Sequence, residues 1–151
     1  MSISKLSIVI PAYNEAKTIH HILNKVAAVQ LIQGIQKEVI VVNDCSTDNT
    51  ATVLRDYAAQ HPEMGLQLFD HPVNKGKGAA LHTGIEKATG DVLVIQDADL
   101  EYDPNEYELL LKPVLHADAD VVYGSRFVGH HPHRILFFWH SIGNKFLTRL
   151  S

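Results

Sequence analysis

The feature that most limits how this chain can fold is a regular alternation of short apolar runs with helical patterns. Runs rich in Val, Ile and Leu predict strands at residues 6–10, 39–42, 66–69, 92–96 and 121–123. Apolar residues at helical spacing predict helices at residues 16–29, 47–59 and 78–88, and one that begins at Pro104. Such alternation predicts an α/β fold, a mostly parallel central sheet with helices on both faces. The continuous run at 92–96 predicts a strand that is buried on both faces.

Local signals predict where several of these elements begin and end. Pro11 would stop the first strand. Ser46 or Thr47 would cap the second helix and place Asp48 in its positive first turn. Gly90 would take the glycine position that follows a helix C-terminus. The predicted elements are therefore joined by short loops in which polar residues collect.

Each polar cluster of the chain directly follows a predicted strand. The clusters lie at residues 11–15, 43–48, 74–78, 97–101 and 124–126. In open parallel sheets, ligands bind outside the carboxyl ends of the strands. We therefore expect these clusters to form one site.

The acidic cluster carries the clearest chemistry. Asp97 and Asp99 directly follow an apolar strand, and Glu101 lies two residues further on. Carboxylates beside a dry core are costly unless a cation compensates them. A divalent cation on one or two carboxylates keeps open positions for water and phosphate oxygens. The cluster therefore predicts a metal-supported site for a nucleotide or a sugar phosphate.

Composition excludes some classes of protein. The 151 residues suffice for one domain with a core, and the net charge of -4 argues against a general nucleic-acid binder. The single cysteine, Cys45, excludes an internal disulfide and fits a reducing cytoplasm. We expect no signal peptide before the first strand and no apolar run long enough to span a bilayer. These bounds do not identify an activity.

Five motifs follow one another in a fixed order along the chain. They are Pro11-Ala12-Tyr13-Asn14-Glu15, Val42-Asn43-Asp44-Cys45-Ser46-Thr47-Asp48, Asn74-Lys75-Gly76-Lys77-Gly78, Asp97-Ala98-Asp99 and Gly124-Ser125-Arg126-Phe127. In order and interval they resemble the signatures of family 2 glycosyltransferases, and within them the polyprenyl-phosphate sugar synthases of the dolichol-phosphate mannose synthase type. The resemblance implies a GT-A fold, a UDP- or GDP-linked sugar donor, Mg²⁺ or Mn²⁺, and inversion at the anomeric carbon. The chain departs from many relatives at Asn43, where they carry aspartate, and at Cys45, where they carry glycine.

The resemblance also implies a metal centre and a catalytic pair, Asp99 and Arg126. Asp99 would bind the metal directly, and Asp97 would contact the ribose, or the metal through water. Glu101 would complete the metal shell or, alternatively, flank a helix start. Arg126 would neutralise the departing diphosphate or, alternatively, pair with a loop acid.

The nucleotide would lie in a cradle of residues that follow the first four predicted strands. The residues predicted to bind it are Pro11, Ala12, Tyr13, Glu15, Asn43, Asp44, Lys77 and Asp97. Tyr13 would pack on the base or the ribose, while Glu15 and Asp44 accept hydrogen bonds from the nucleoside. The alternatives are a charge in the first helical turn for Glu15 and helix capping for Asp44. Lys75 or Lys77 would contact a phosphate or, alternatively, belong to a solvated turn.

The end of the chain differs in character from the rest. Residues 1–128 are expected to form the nucleotide-sugar-binding core, and residues 129–151 a basic amphipathic segment that leads into further chain. That segment suits a membrane interface or, alternatively, covers a core. Arg134 would meet an acceptor phosphate. His130, His131 and His133 lack the spacing of a common zinc site and favour a mobile loop.

The expected function is transfer of a hexose from a nucleotide sugar to a polyprenyl phosphate or glycan acceptor. An acceptor phosphate is largely ionised at pH 7 and needs no general base, whereas a sugar hydroxyl does. The protein would then work in the cytoplasm at the cytoplasmic face of the membrane. Two alternatives are a haloacid-dehalogenase-type phosphohydrolase, with Asp97 as nucleophile and Asp99 as acid, and an inert nucleotide-sugar-binding fragment.

Overall fold

The computed structural model describes residues 3–116 and 119–123. Strands β1 Lys5–Ala12, β2 Gln36–Asn43, β3 Gln67–Asp70 and β4 Val92–Ile95 alternate there with helices. The helices are α1 Ile19–Ala28, α2 Thr50–Gln60, α3 Lys77–Lys87 and α4 Tyr107–Leu115, and 3₁₀ turns lie at Ile32–Gly34, Pro62–Met64 and Pro104–Glu106. The predicted alternation is confirmed through β4, and Pro104 begins a helical segment as predicted.

The strands of the described part form one parallel sheet in the order β3-β2-β1-β4. The chain builds the sheet from β1 outward to β3, then crosses back and places β4 on the other side of β1. The direction of building therefore reverses between β1 and β4. Loops that leave such neighbouring strands part from each other and open a crevice at the edge of the sheet.

The two faces of the sheet carry different cores, because side chains of a strand point alternately to the two faces. Leu6, Ile8 and Ile10 belong to the larger core, which also takes buried residues of α1, α2 and α4. On the other face, a smaller core joins Ile40 and Val42 of β2 to Ala80 of α3. Helices thus cover both faces of the sheet, as predicted.

Helix α3 lies close to the sheet because a glycine stands at the contact. A Cβ added to Gly84 would lie 2.3 Å from Val9 Cγ1 and 3.5 Å from Val42 Cγ2. The first distance is well inside the contact distance of two carbon atoms, so only a hydrogen fits there. This contact seats the helix that also carries Lys77 and Ala80 at its N-terminal end.

The prediction that Pro11 stops β1 is wrong, since the strand continues through it to Ala12. Backbone groups of successive strand residues point to alternate neighbours. Val9 C=O accepts from Gln96 N–H on the β4 side, and Ala12 C=O accepts from Asp44 N–H on the β2 side. The nitrogen of Pro11 therefore faces the β4 side, beyond the last residue that pairs with β4. The missing N–H costs no ladder bond at that point, so proline is tolerated.

Two predicted helix ends are also wrong. Helix α2 begins at Thr50, after Asn49, and not at residue 47. Asp48 precedes the helix, where its Oδ1 accepts from Thr50 N–H at 2.9 Å. Gly90 is not among the glycines with positive φ, so it is no left-handed cap. A Cβ at Gly90 would lie 2.6 Å from Ser7 Oγ, so the close approach of β1 requires glycine there.

The prediction that the fourth strand is buried on both faces is wrong as well. Leu93 and Ile95 are 42% and 48% exposed, because α3 packs on β1 and β2 and leaves that face of β4 uncovered. Residues 121–123 do not form the predicted fifth strand. Val121 and Tyr123 are 66% and 88% exposed, so these side chains find no core in the described part of the chain.

No helix in the described ranges has both the length and the apolar character needed to cross a bilayer. The predicted boundary near residue 128 and the amphipathic segment 129–151 lie outside the described residues.

Candidate functional site

An open cavity of about 340 Å³ lies at the carboxyl ends of β1, β2 and β4. Its lining residues are Pro11, Ala12, Tyr13, Glu15, Asp44, Asn74, Gly76, Lys77, Ala80, Asp97, Ala98 and Asp99. Four of the predicted polar clusters contribute to this lining, and the fifth, at 124–126, lies outside the described residues. The four clusters therefore meet at one place, as expected.

Asn14 joins the loop after β1 to the loop after β2. Its Oδ1 accepts from Thr47 N–H at 2.8 Å and from Asp48 N–H at 3.3 Å, and its own N–H donates to Ser46 Oγ at 3.0 Å. Asn14 has a φ of 56°, in the left-handed region that asparagine tolerates better than most residues. These bonds fix the backbone at Asn14, and the residues on either side of it, Tyr13 and Glu15, line the cavity.

Tyr13 and Glu15 lie where the cradle was predicted. Tyr13 lines the cavity and is 47% exposed, so its ring has a free surface for a flat ligand. The Oε2 atom of Glu15 accepts from the hydroxyl of Thr18, the residue before α1. Glu15 therefore both lines the cavity and stands at the N-terminus of a helix.

Asn43 does not line the cavity, although it was predicted to bind the nucleotide. It is buried, its Nδ2 donates to Asp70 Oδ1 at 2.7 Å, and its Oδ1 accepts from the Ser46 hydroxyl at 2.5 Å. A carboxylate at this position would repel Asp70, whereas the amide of Asn43 can donate a hydrogen bond to it. The other departure from the family pattern, Cys45, has a φ of 56°, a conformation that favours glycine.

Asp44 lines the cavity, but its side chain is only 4% exposed. Its Oδ1 accepts from His71 Nδ1 at 2.7 Å and from Lys75 N–H at 2.9 Å, and its Oδ2 accepts from Gly76 N–H at 2.7 Å. Burial raises the pKa of Asp44, but these hydrogen bonds and the charge of His71 outweigh burial and lower the pKa below its usual value. Asp44 therefore holds the loop that leads into α3, which neither predicted role had included.

Lys77 and Asp97 form an ion pair across the cavity. Lys77 begins α3, Asp97 follows β4, and Lys77 Nζ lies 2.6 Å from Asp97 Oδ1. Lys75, the other candidate for phosphate binding, is exposed and does not line the cavity. Of the two lysines, the structure brings Lys77 to the predicted site.

The turn that carries the acidic pair rests on a buried glutamine. Gln96 is 2% exposed, and its Nε2 donates to the C=O groups of Asp97 and Tyr102, each at 3.2 Å. Its Oε1 accepts from the Tyr107 hydroxyl at 2.8 Å. Burial raises the pKa of Tyr107 well above its usual value, so the hydroxyl keeps its proton and donates. The backbone beside the acidic pair is therefore fixed from the core.

Asp97 and Asp99 both line the cavity, whereas Glu101 does not. The N–H of Glu101 donates to Asp99 Oδ1 at 3.1 Å, and the Glu101 residue itself is exposed. Within residues 3–116 and 119–123, no three His, Cys, Asp or Glu residues are grouped so that they could hold a metal ion. The predicted set of three carboxylates is thus not assembled. Two carboxylates on an open cavity still fit Mg²⁺ or Mn²⁺, which complete their shells with water and phosphate oxygens.

Some predicted residues lie outside the described part, and some described residues were not predicted. Arg126, Arg134 and the histidines at 130, 131 and 133 belong to the first group. His71 and Gln96, which hold the loops of the site, belong to the second. No short motif predicts either role, because Asp44 lies 27 residues from His71 and Tyr107 lies 11 residues from Gln96.

Comparison with known proteins finds a family model and curated relatives that match most of this chain. The model of the family described as glycosyl transferase family 2 matches residues 7–142. Over 128 residues the chain is 37% identical to a dolichyl-phosphate beta-glucosyltransferase of Trichomonas vaginalis, a match that covers 78% of this chain and 37% of the relative. It is 30% identical to a dolichol-phosphate mannosyltransferase of Pyrococcus furiosus, with 82% of this chain and 34% of that relative covered. The chain thus spans little more than a third of these curated relatives.

Solved structures with the same fold contain nucleotides and manganese. One is a mannosyltransferase of Pyrobaculum calidifontis in complex with GDP-Man and Mn²⁺, with a TM-score of 0.58 and 36% identity over 62% of this chain and 27% of that one. Another is the glucosyl-3-phosphoglycerate synthase of Mycobacterium tuberculosis in complex with Mn²⁺, UDP and glucosyl-3-phosphoglycerate, with a TM-score of 0.57 and 28% identity over 74% of this chain and 40% of that one.

Proposed function

Because the chain belongs to glycosyl transferase family 2 and has its GT-A fold, we propose that it is the donor-binding part of an inverting glycosyltransferase. The enzyme takes a hexose from a UDP- or GDP-linked sugar and transfers it to a polyprenyl phosphate. Family membership removes the phosphohydrolase alternative, since a haloacid dehalogenase belongs to a different family. The inert-fragment alternative becomes an outcome of the test described below.

The observation that carries this proposal is the meeting of Lys77, Asp97 and Asp99 in one open cavity beside residues 11–15. A nucleotide sugar has a flat base, a ribose with hydroxyl donors and a diphosphate with its counter-ion. The cavity offers a partly exposed aromatic ring, a carboxylate, and a lysine next to two further carboxylates. The cavity therefore offers a group that can bind each part of the donor, namely its base, its ribose and its diphosphate with the counter-ion.

Asp97 and Asp99 would hold the Mg²⁺ or Mn²⁺ ion, in keeping with the Mn²⁺ present in the two structural neighbours. When bound, such an ion neutralises charge on a departing diphosphate, which is worth several kcal/mol in related chemistry. Lys77 now neutralises Asp97, and in the loaded site it is free to turn its ammonium to a phosphate oxygen. We assign the same task to Arg126 from the resemblance described above.

The cradle residues would bind the nucleoside. Tyr13 packs against the base or the ribose with the exposed face of its ring. Glu15 uses one carboxylate oxygen, Oε2, for Thr18, and its Oε1 is left to accept from a nucleoside hydroxyl. Asn14 keeps both residues in place through its bonds to the neighbouring loop.

The acceptor is proposed from curated relatives whose names include dolichyl, dolichol or undecaprenyl phosphate. An acceptor phosphate enters the reaction already ionised, so the site needs no side chain to remove a proton. Arg134 and the amphipathic segment 129–151 would meet that phosphate at the membrane surface. The reaction then belongs at the cytoplasmic face, where a cytoplasmic donor and a membrane-bound acceptor come together.

The donor site is tested by calorimetric titration of UDP and GDP in the presence and absence of Mn²⁺. We expect the wild type to bind one of them more tightly with Mn²⁺, and Asp99→Asn to lose about tenfold or more of that affinity. Asp56→Asn is the matched control, because it removes the same charge from an exposed residue of α2 that does not line the cavity. Equal Mn²⁺-dependent affinity in wild type and Asp99→Asn would contradict the donor site.

Transfer is tested with radiolabelled UDP- and GDP-sugars, with and without a polyprenyl phosphate. We expect labelled lipid with one donor, and none when the lipid phosphate is omitted. Donor binding without any transfer by the full-length protein would overturn the enzyme proposal and favour an inert nucleotide-sugar-binding protein.

A further inference from the structure

His71 lies at the centre of a buried arrangement that joins three parts of the donor site. It follows β3, where its N–H donates to Asn43 C=O at 2.9 Å. Its Nδ1 lies 2.7 Å from Asp44 Oδ1, and its Nε2 lies 2.9 Å from the Thr83 hydroxyl of α3. The side chains of His71 and Asp44 are only 8% and 4% exposed. The imidazole does not line the cavity, so contact with the donor is not its task.

The hydrogen-bond partners define which nitrogen of His71 carries a proton. A carboxylate only accepts, so the Nδ1 of His71 must donate to Asp44. The Nε2 atom then accepts from the Thr83 hydroxyl when the ring is neutral, or donates to it when the ring is charged. In both forms the donor on Nδ1 is present, so His71 supports the Asp44 carboxylate at any charge of the ring.

Asp44 passes this support on to the glycine loop. Its two oxygens accept from the N–H groups of Lys75 and Gly76, and its C=O accepts from Asn74 Nδ2 at 3.2 Å. Gly76 has a φ of 85° and directly precedes α3, whose first residue is Lys77. The position of Lys77 therefore depends on a carboxylate that three donors share.

Resting on the proposed function, we propose that His71 is a positioning residue of the donor site: through its Nδ1–H bond it orients the Asp44 carboxylate, which binds the 74–76 loop and sets Lys77 against the donor diphosphate. A buried carboxylate needs its hydrogen-bond donors, because loss of one leaves a charge without compensation in a dry place. Without the imidazole donor, Asp44 turns towards water in the cavity and releases the two loop amides.

Two substitutions separate the two nitrogens of the ring. In His71→Asn the side-chain amide nitrogen lies near the position of Nδ1, so a donor to Asp44 is kept and the Thr83 contact is lost. In His71→Gln the longer side chain brings its amide near the position of Nε2, so the Thr83 contact is kept and the donor to Asp44 is lost. Both variants remove the imidazole ring, so any loss of packing or stability that results from its removal affects both variants alike.

The experiment measures amide hydrogen exchange at Lys75 and Gly76 by NMR, with the amides of α2 as internal reference. It also measures UDP and GDP affinity with Mn²⁺ by calorimetry. We expect His71→Asn to stay within about threefold of the wild type, and His71→Gln to exchange these two amides about tenfold faster and to bind nucleotide about tenfold more weakly. The α2 amides are expected to exchange alike in all three proteins.

Equal exchange at Lys75 and Gly76 in the two variants would overturn the positioning role. Where the wild type binds the nucleotide, equal nucleotide affinity in the two variants would also overturn it. If His71→Gln does not fold, Asp44→Asn replaces it, because one amide oxygen cannot serve all three donors, and unchanged exchange in that variant overturns the proposal. Exchange rates need no ligand, so a wild type that binds neither nucleotide would refute the proposed function while the exchange comparison still decides the role of His71.

Discussion

Replacing Gly84 by alanine tests how closely α3 rests on the sheet beneath the donor site. The added methyl group would lie 2.3 Å from Val9 Cγ1, whereas two carbon atoms in good contact are about 3.5–4.0 Å apart. More than about 1 Å must therefore be recovered by moving the helix or the fully buried Val9. Overfilling of this kind costs about 1–3 kcal/mol, and the better helix propensity of alanine offsets about 1 kcal/mol of it. We expect a net loss of about 1 kcal/mol in the free energy of unfolding, and up to about 2 kcal/mol if the helix cannot shift.

Gly78→Ala in the same helix is the matched control. A Cβ at Gly78 meets nothing within 4 Å, so this variant gains helix propensity without a clash and should be stabilised by up to about 1 kcal/mol. Urea unfolding followed by circular dichroism measures both changes. Val9→Ala makes room for the new methyl group, so the double variant with Gly84→Ala should be more stable than the sum of the two single changes by about 1 kcal/mol. If Gly84→Ala is as stable as Gly78→Ala, or if the double variant is strictly additive, the close contact described here does not exist.

Two further predictions concern hydrogen bonds at opposite ends of the sheet. Burial raises the pKa of Glu38, but hydrogen bonds from Ser7 and Thr89 outweigh burial and lower the pKa from 4.5 to about 2. The stabilisation from Glu38 is therefore complete above about pH 5 and is lost as the pH falls from about 4.5 to about 2; after allowance for solvent screening it amounts to about 1 kcal/mol. Glu38→Gln should remove that part of the acid sensitivity in a pH series of urea unfolding, and an unchanged pH profile would argue against it. Tyr107→Phe leaves the Gln96 Oε1 acceptor buried without its donor, so the free energy of unfolding should fall by about 1–3 kcal/mol, and Mn²⁺-dependent nucleotide affinity with it, whereas unaltered stability in urea would refute this role.

The order of strands and helices could be predicted because it depends on local patterns. Apolar runs and helical spacing are properties of short windows, and parallel pairing follows from their alternation. The ends of the strands and helices depend on contacts with residues that lie outside a short stretch of sequence. Pro11 continues β1 because the β4 ladder has already ended, and Gly90 is required by the backbone of β1 more than eighty residues away. Asn14, and not a cap at residue 46 or 47, takes the amides before α2.

The location of the site was predictable for the same reason, since residues that follow parallel strands meet at one edge of a sheet. That rule brings residues 11–15, Asp44, Lys77 and the acidic pair together. It does not say which way each side chain turns. The side chain of Asn43 is buried and donates to Asp70, so it does not reach the cavity. The backbone N–H of Glu101 donates to Asp99, and the Glu101 residue is exposed outside the cavity. Such choices depend on individual hydrogen bonds, some local and some between distant residues.

The proline in β1 has a consequence for the shape of the entrance. Beyond Val9, the side of β1 that faces β4 has the ring nitrogen of Pro11 in place of the next N–H donor, so further pairing there would lack one backbone hydrogen bond. The crevice between β1 and β4 is therefore favoured by the proline ring itself, whichever side chains border it. Substitutions of the side chains that border the crevice can change which ligand binds there, while the missing donor of Pro11 still disfavours further pairing of β1 with β4.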